Sequence, residues 1–200
     1  GRTPGNIVAI RPLRDGVIAD FDVAHTMIKS LIEKAASKSA FKAPRIIVCY
    51  PSGVTEVEKR AIEEATKLAG AREVILMEEP MAAAIGADLP IQESHGSFIC
   101  DIGGGTTEIA VLSMGGIVVN RSIRIAGDEM DQAIVAFLRL KHSLIVGEKT
   151  AEEVKITVGS AYPSSDGDRQ TVVRGRSAET GLPESLRLGE AEIREAIAPV

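Results

Sequence analysis

No stretch of this chain approaches the about 20 consecutive apolar residues that a bilayer-spanning helix needs, so no transmembrane segment is expected. The opening Gly1-Arg2-Thr3-Pro4-Gly5 does not read as a signal peptide, and the absence of an initial methionine points to a fragment or a processed chain. Basic residues never run longer than two, and the net charge is −5. Both features exclude the footprint of a nucleic-acid binder. Cysteine is scarce. Cys49 and Cys100 each sit in an apolar, strand-like run and read as reduced core residues of a cytosolic protein, not a disulfide pair. His25, His95 and His142 are scattered without a second ligand at metal spacing, so no zinc site is expected. What remains is ordinary for a soluble α/β protein: 44% hydrophobic and 26% charged residues in 200, enough for one large domain or two small ones.

The apolar spacing predicts alternating strands and helices in the first half. Asp15-Gly16 is a turn signal between short apolar runs. From Asp22, read as an N-cap, Val23, Met27, Ile28, Leu31, Ile32 and Ala35 fall on one helical face. Arg45–Tyr50 reads as a buried strand. Thr55 and Glu58 form a capping box for a helix that Gly70 closes. Val74–Met77 is a second buried strand, and Pro80 opens a short helix to Ala87. The order strand, helix, strand, helix implies a sheet with crossover helices.

After a polar, turn-rich stretch from Leu89 to Gly96, glycine turns separate three strands: Phe98–Ile102, Glu108–Leu112 and Ile117–Ile123. This is a meander. Gly127-Asp128 leads into a helix carrying Met130, Ile134, Phe137 and Leu138. Thr150 and Glu153 suggest a second capping box. Thr171–Val173 and Leu186–Leu188 read as an antiparallel pair, and Glu190 starts a final helix.

Two segments carry chemistry. In Asp101-Ile102-Gly103-Gly104-Gly105-Thr106-Thr107, three glycines between two strands let backbone amides wrap phosphate oxygens. Asp101, at a strand end, can hold a hydrated Mg²⁺ against those phosphates, and Thr106 offers a hydroxyl. The segment is neither a Walker A loop nor a Rossmann fingerprint, because no Gly-Lys-Ser/Thr ending follows and the chain continues as a strand. A glycine-rich hairpin turn is the bland alternative. In Glu78-Glu79-Pro80-Met81-Ala82-Ala83-Ala84, two carboxylates precede a helix N-terminus. One can orient a water for attack on a terminal phosphate; equally, both can serve as acidic helix caps.

Together these segments resemble the second phosphate loop and the first connecting segment of the actin and heat-shock chaperone ATPase superfamily, in the form typical of MreB-type bacterial cell-shape proteins. Gly1–Asn6, Ile10–Pro12, Asp15–Asp20, Gly70–Val74, Ile125–Asp131 and Gly159–Pro163 are similar to that family as well. The resemblance covers nearly the whole chain. It implies an actin-like (ribonuclease H-like) α/β ATPase fold, incomplete at both ends, since an earlier phosphate loop of the Asp-Leu-Gly-Thr type and a later adenosine motif are missing. It further implies ATP and Mg²⁺ as cofactors, self-assembly into filaments, and a place at the inner face of the cytoplasmic membrane, with cell-wall synthesis proteins as partners.

By the same resemblance, Gly103, Gly104, Gly105 and Thr106 would contact the β- and γ-phosphates, and Asp101 would hold Mg²⁺ through water. Glu79 with Thr106 would position the attacking water. Glu152 and Lys155 would approach the adenosine, although their spacing alone equally fits an exposed i, i+3 helix pair. Phe41, flanked by Lys38 and Lys42, would face the membrane; a satellite core residue is the other reading. Residues 1–93 would form part of the first large subdomain, 94–129 the start of the second, 130–189 the small subdomain, and 190–200 a return helix. A chaperone or sugar-kinase ATPase on the same fold, or a non-catalytic interaction module, are the competing functions.

Overall fold

The computed structural model describes residues 8, 10–14, 16–35, 43–163 and 169–200. Phe41 and most of the polar stretch at 164–169 lie outside them. The described chain divides into two compact units, Val8–Arg124 and Ile125–Val200.

The first unit begins with a two-residue hairpin, β1 (Leu13–Arg14) and β2 (Val17–Ile18), turned at Gly16 with φ +75°. A Cβ at Gly16 would come within 2.3 Å of Pro51 Cγ, so both the backbone angle and the packing demand glycine there. Helix α1 (Phe21–Ala35) starts earlier than its pattern predicts. Asp20, not Asp22, is the cap: the Val23 amide donates to Asp20 Oδ1 at 3.0 Å. Asp22 falls in the first turn, where its carbonyl accepts from the Thr26 hydroxyl.

Strands β3 (Arg45–Tyr50) and β4 (Glu73–Glu78) pair in parallel, with α2 (Glu56–Leu68) as the crossover between them. The Thr55–Glu58 capping box forms in both directions. Past the end of α2, Gly70 takes φ +110°. Helix α3 (Glu79–Gly86) follows β4 directly. The antiparallel meander is β5 (Ser97–Ile102), β6 (Thr107–Ser113) and β7 (Gly116–Ile123), in that spatial order. Its β6–β7 turn has positive φ at Met114 and Gly115. Ala84 of α3 is fully buried with Ala110 and Leu112 of β6, as the small side chains of α3 allow.

The cysteines are free, but they are not core residues: both are exposed. The reason is strand alternation. In β3, Ile46, Val48 and Tyr50 are half-covered while Arg45, Ile47 and Cys49 are exposed; in β5, Phe98, Cys100 and Ile102 are exposed. These strands are covered on one face only among the described residues, so the expectation of fully buried strands fails for alternate positions.

In the second unit, α4 (Gly127–His142) is followed by β8 (Leu144–Ile145), α5 (Glu148–Val158), β9 (Gln170–Ser177), β10 (Pro183–Gly189) and α6 (Glu190–Ile197). The sheet order is β10-β9-β8, antiparallel, with Leu186 opposite Val173. Ile134, Leu138, Leu144, Val154, Val158, Leu188 and Ile193 form its core. The second capping box is not used. Helical bonding already begins at the Gly147 carbonyl, which accepts from Thr150 and Ala151, so Thr150 sits inside the first turn.

Candidate functional site

Asp101 and Ile102 close β5, Thr107 opens β6, and Gly103–Thr106 form the connecting loop. The Gly103 amide donates to the Thr106 carbonyl at 2.9 Å, which folds the loop into a tight turn. Among the described residues, no group accepts from the Gly104 or Gly105 amides. A side chain at Gly103 would bring its Cβ to 3.3 Å from the Thr106 carbonyl oxygen. The loop therefore offers two uncommitted amides on a backbone that can be approached closely, the arrangement that suits a phosphate. Thr106 is itself buried, and its methyl lies 3.4 Å from where a Cβ on Gly16 would stand.

Asp101 pairs with Glu108 across the β5–β6 ladder. Directly opposed residues project from the same face, so two carboxylates stand side by side. Glu79, the first residue of α3, joins them. Burial pushes its carboxyl above the usual range, and the negative charges of Glu108 and then Asp101 push it further. Its neighbour Glu78 is engaged elsewhere. Glu78 Oε2 accepts from Asn120 Nδ2 of β7 at 3.2 Å, and its side chain makes no capping bond to α3. That geometry weakens the capping reading of the acidic pair and separates the roles of the two residues.

Glu108 ends the Asp101–Glu108 stretch that resembles the phosphate loop and is given no role by the sequence, yet it is the buried member of the cluster, at 1% exposure. Its Oε2 accepts from the Ser52 amide at 3.1 Å, and its Oε1 accepts from the Ser122 hydroxyl. Strand period alone held the signal. Glu108 shares its face with Ala110 and Leu112, both buried, so alternation puts a carboxylate inside.

The other sequence-derived residues lie in the second unit. Glu152 is exposed on α5. Lys155 does not pair with it: its Nζ donates to the Gly127 carbonyl at 2.9 Å and meets Asp131 Oδ1 at 2.8 Å, both on α4.

The donor set decides what the site can hold. Among the described residues no group of three His, Cys, Asp or Glu side chains could cage a metal ion. A hydrated Mg²⁺ carried by nucleotide phosphates needs only one or two carboxylates, and Asp101 fits that demand. The two open glycine amides fit the phosphates themselves.

A glycine loop on the first hairpin of a meander, set beside an acidic helix start, fits the actin-like class. Solved structures agree. MreB5 of Spiroplasma citri, in structures bound to ADP and to AMPPNP, matches 99% and 100% of this chain at 38% identity and TM-score 0.91. The MamK double helical filament, at 20% identity and TM-score 0.72, shares the fold. The whole chain, residues 1–200, matches the MreB/Mbl protein family. The cell shape-determining proteins MreB of Escherichia coli and Mbl of Bacillus subtilis are 52% and 47% identical over 98% of it. The chain belongs to the MreB/Mbl family of actin-like cell shape-determining proteins. It spans 57% and 59% of the length of those two relatives.

Proposed function

We propose that the complete protein binds ATP with Mg²⁺, hydrolyses it, and couples hydrolysis to assembly of filaments on the inner face of the cytoplasmic membrane. The observation that carries this reading is the convergence of Glu79, Asp101 and Glu108 beside the Gly103–Gly105 loop. The nucleotides in the two MreB5 structures support it, as does the filament of MamK.

In this reading Gly103, Gly104, Gly105 and Thr106 contact the β- and γ-phosphates, with the open Gly104 and Gly105 amides as donors because the Gly103 amide is committed to the Thr106 carbonyl. Asp101 would hold a hydrated Mg²⁺, which would supply charge neutralisation on the phosphates. Glu79, ionised, accepts a hydrogen bond from the attacking water, with the Thr106 hydroxyl as its second holder. Water attacks the γ-phosphorus, the bond to the β-γ bridging oxygen breaks, and ADP and phosphate leave. Such a transfer relies on positioning and electrostatics, so small displacements of Glu79 control the rate. Glu152 and Lys155 serve the adenosine, Phe41 the membrane surface. The subdomain division at 93, 129 and 189 and the cell-wall synthesis partners belong to the same proposal.

Membership in a cell shape-determining family disfavours the chaperone and sugar-kinase alternatives. The test uses the full-length protein. Glu79→Ala is expected to keep nucleotide affinity while turnover in filaments falls about 100-fold, the scale of a lost general base. Asp101→Asn is expected to lose Mg-dependent binding. An E79A protein that hydrolyses ATP at the normal rate in filaments overturns the reading.

A further inference from the structure

Glu108 is a buried carboxylate with no cationic partner among the described residues. Its two hydrogen-bond donors are neutral and come from different elements: the Ser52 amide in the loop after β3, and the Ser122 hydroxyl on β7. Burying a charge against neutral donors alone is an expensive way to hold a fold together. What the arrangement does achieve is location. The Pro51–Gly53 loop is held tightly on three sides. Pro51 packs against Gly16, whose Cβ position also meets Thr106. A Cβ at Gly53 would lie 3.2 Å from Ser122 Cβ. Glu108 takes the loop by its backbone at Ser52. Two residues before Glu108 in the chain is Thr106; across the ladder is Asp101; and its charge is felt at Glu79.

From this we propose that Glu108 is a positioning residue for ATP hydrolysis: it latches the Pro51–Gly53 loop to β7 and so fixes the phosphate loop and Asp101 relative to Glu79. The proposal rests on the ATPase reading and adds a residue that acts through Glu79 and Thr106 rather than on the nucleotide. A carboxylate suits this role because it accepts from both donors at once, and charge-assisted bonds are stiffer than neutral ones. Glutamine can accept only one and must donate to Ser122, so it weakens the latch without removing it.

The test compares Glu108→Ala, Glu108→Gln and Ser122→Ala in full-length protein, with ATP turnover in filaments read against affinity for a non-hydrolysable ATP analogue and against thermal unfolding. The expected result is a graded loss in kcat with nucleotide affinity unchanged within about two-fold. It should be about 100-fold for alanine at position 108, the scale of a misplaced catalytic group, and only several-fold for the glutamine variant and for Ser122→Ala. Should E108A fail to fold, the glutamine and serine variants carry the comparison. Normal kcat in the variants, or a fall in nucleotide affinity that matches the fall in kcat, overturns the latch. So does a glutamine variant as inactive as alanine, which would make the charge and not the position essential. A wild-type protein that does not hydrolyse ATP removes the ATPase reading and the latch together; an active wild type with unaffected variants removes only the latch.

Discussion

Among the described residues, each of the two units buries one carboxylate to 1% exposure, and they treat it in opposite ways. In Ile125–Val200, Glu190 at the start of α6 accepts from Arg194 Nη2 at 2.6 Å, from Arg169 Nε at 3.2 Å and from the Ser160 hydroxyl at 2.7 Å. Two guanidinium groups neutralise it, and together they tie α6 to the end of α5 and to the residue before β9. In Val8–Arg124, Glu108 has only neutral donors among the described residues, and the charges of Glu108 and Asp101 both act on Glu79. The first arrangement minimises the cost of burial and reads as architecture. The second keeps like charges together against their repulsion, which is how perturbed groups gather where chemistry is done.

Four measurements on the full-length protein would break or sharpen that contrast. The largest effect is expected for Glu190→Ala, which strands two arginines and should cost about 3 kcal/mol in urea unfolding, as for other broken buried ion pairs. Glu108→Ala leaves the Ser52 amide unpaired but also removes a buried charge, so its loss should be the smaller of the two, about 1 kcal/mol. Equal losses would erase the distinction. Thr55→Ala, which removes the capping-box hydroxyl of α2, should cost about 1 kcal/mol and leave nucleotide binding untouched, making it a control for stability alone.

Glu79→Gln should give the smallest shift and one of opposite sign. Folding raises the pKa of Glu79, so ionisation is less favourable in the folded chain than in the unfolded one. Its contribution to stability is complete below the ordinary carboxylate range and is lost as pH rises through its raised folded range. Without nucleotide, the glutamine variant should therefore melt above wild type at neutral pH and level with it in acid. A variant less stable than wild type at neutral pH would contradict the crowding of the three carboxylates.

Much of the fold was legible because its signals are local. The Thr55–Glu58 box, Gly70 past the end of α2, the Met114–Gly116 turn and the antiparallel pair formed by Thr171–Val173 and Leu186–Leu188 all follow from short-range rules of φ, capping and alternation. The errors came where local signals compete. Asp20 and Asp22 are both good caps, and the β2 hairpin ends so that Asp20 takes the position. Thr150 and Glu153 have capping-box spacing, yet the chain leaving β8 turns at Gly147 and enters the helix a turn early. Cys49 and Cys100 lie in apolar runs, but which face of a strand is covered depends on what packs there.

The site divides the same way. Asp101, the Gly103–Gly105 loop, Thr106 and Glu79 stand out in sequence as candidates, because a glycine loop between strands and an acidic residue before a proline-opened helix are features of contiguous residues. Only the tertiary structure decided that Glu79, from the β4–α3 junction, lies within reach of the negative charges of Glu108 and Asp101 from the meander. It also assigned Glu78 to Asn120, turned Lys155 to Asp131, and placed Ser52 on Glu108 across 56 positions of chain. Hydrogen bonds and charge repulsion act over ångströms in space, and the chain distance between their partners leaves no periodic trace for a sequence to display.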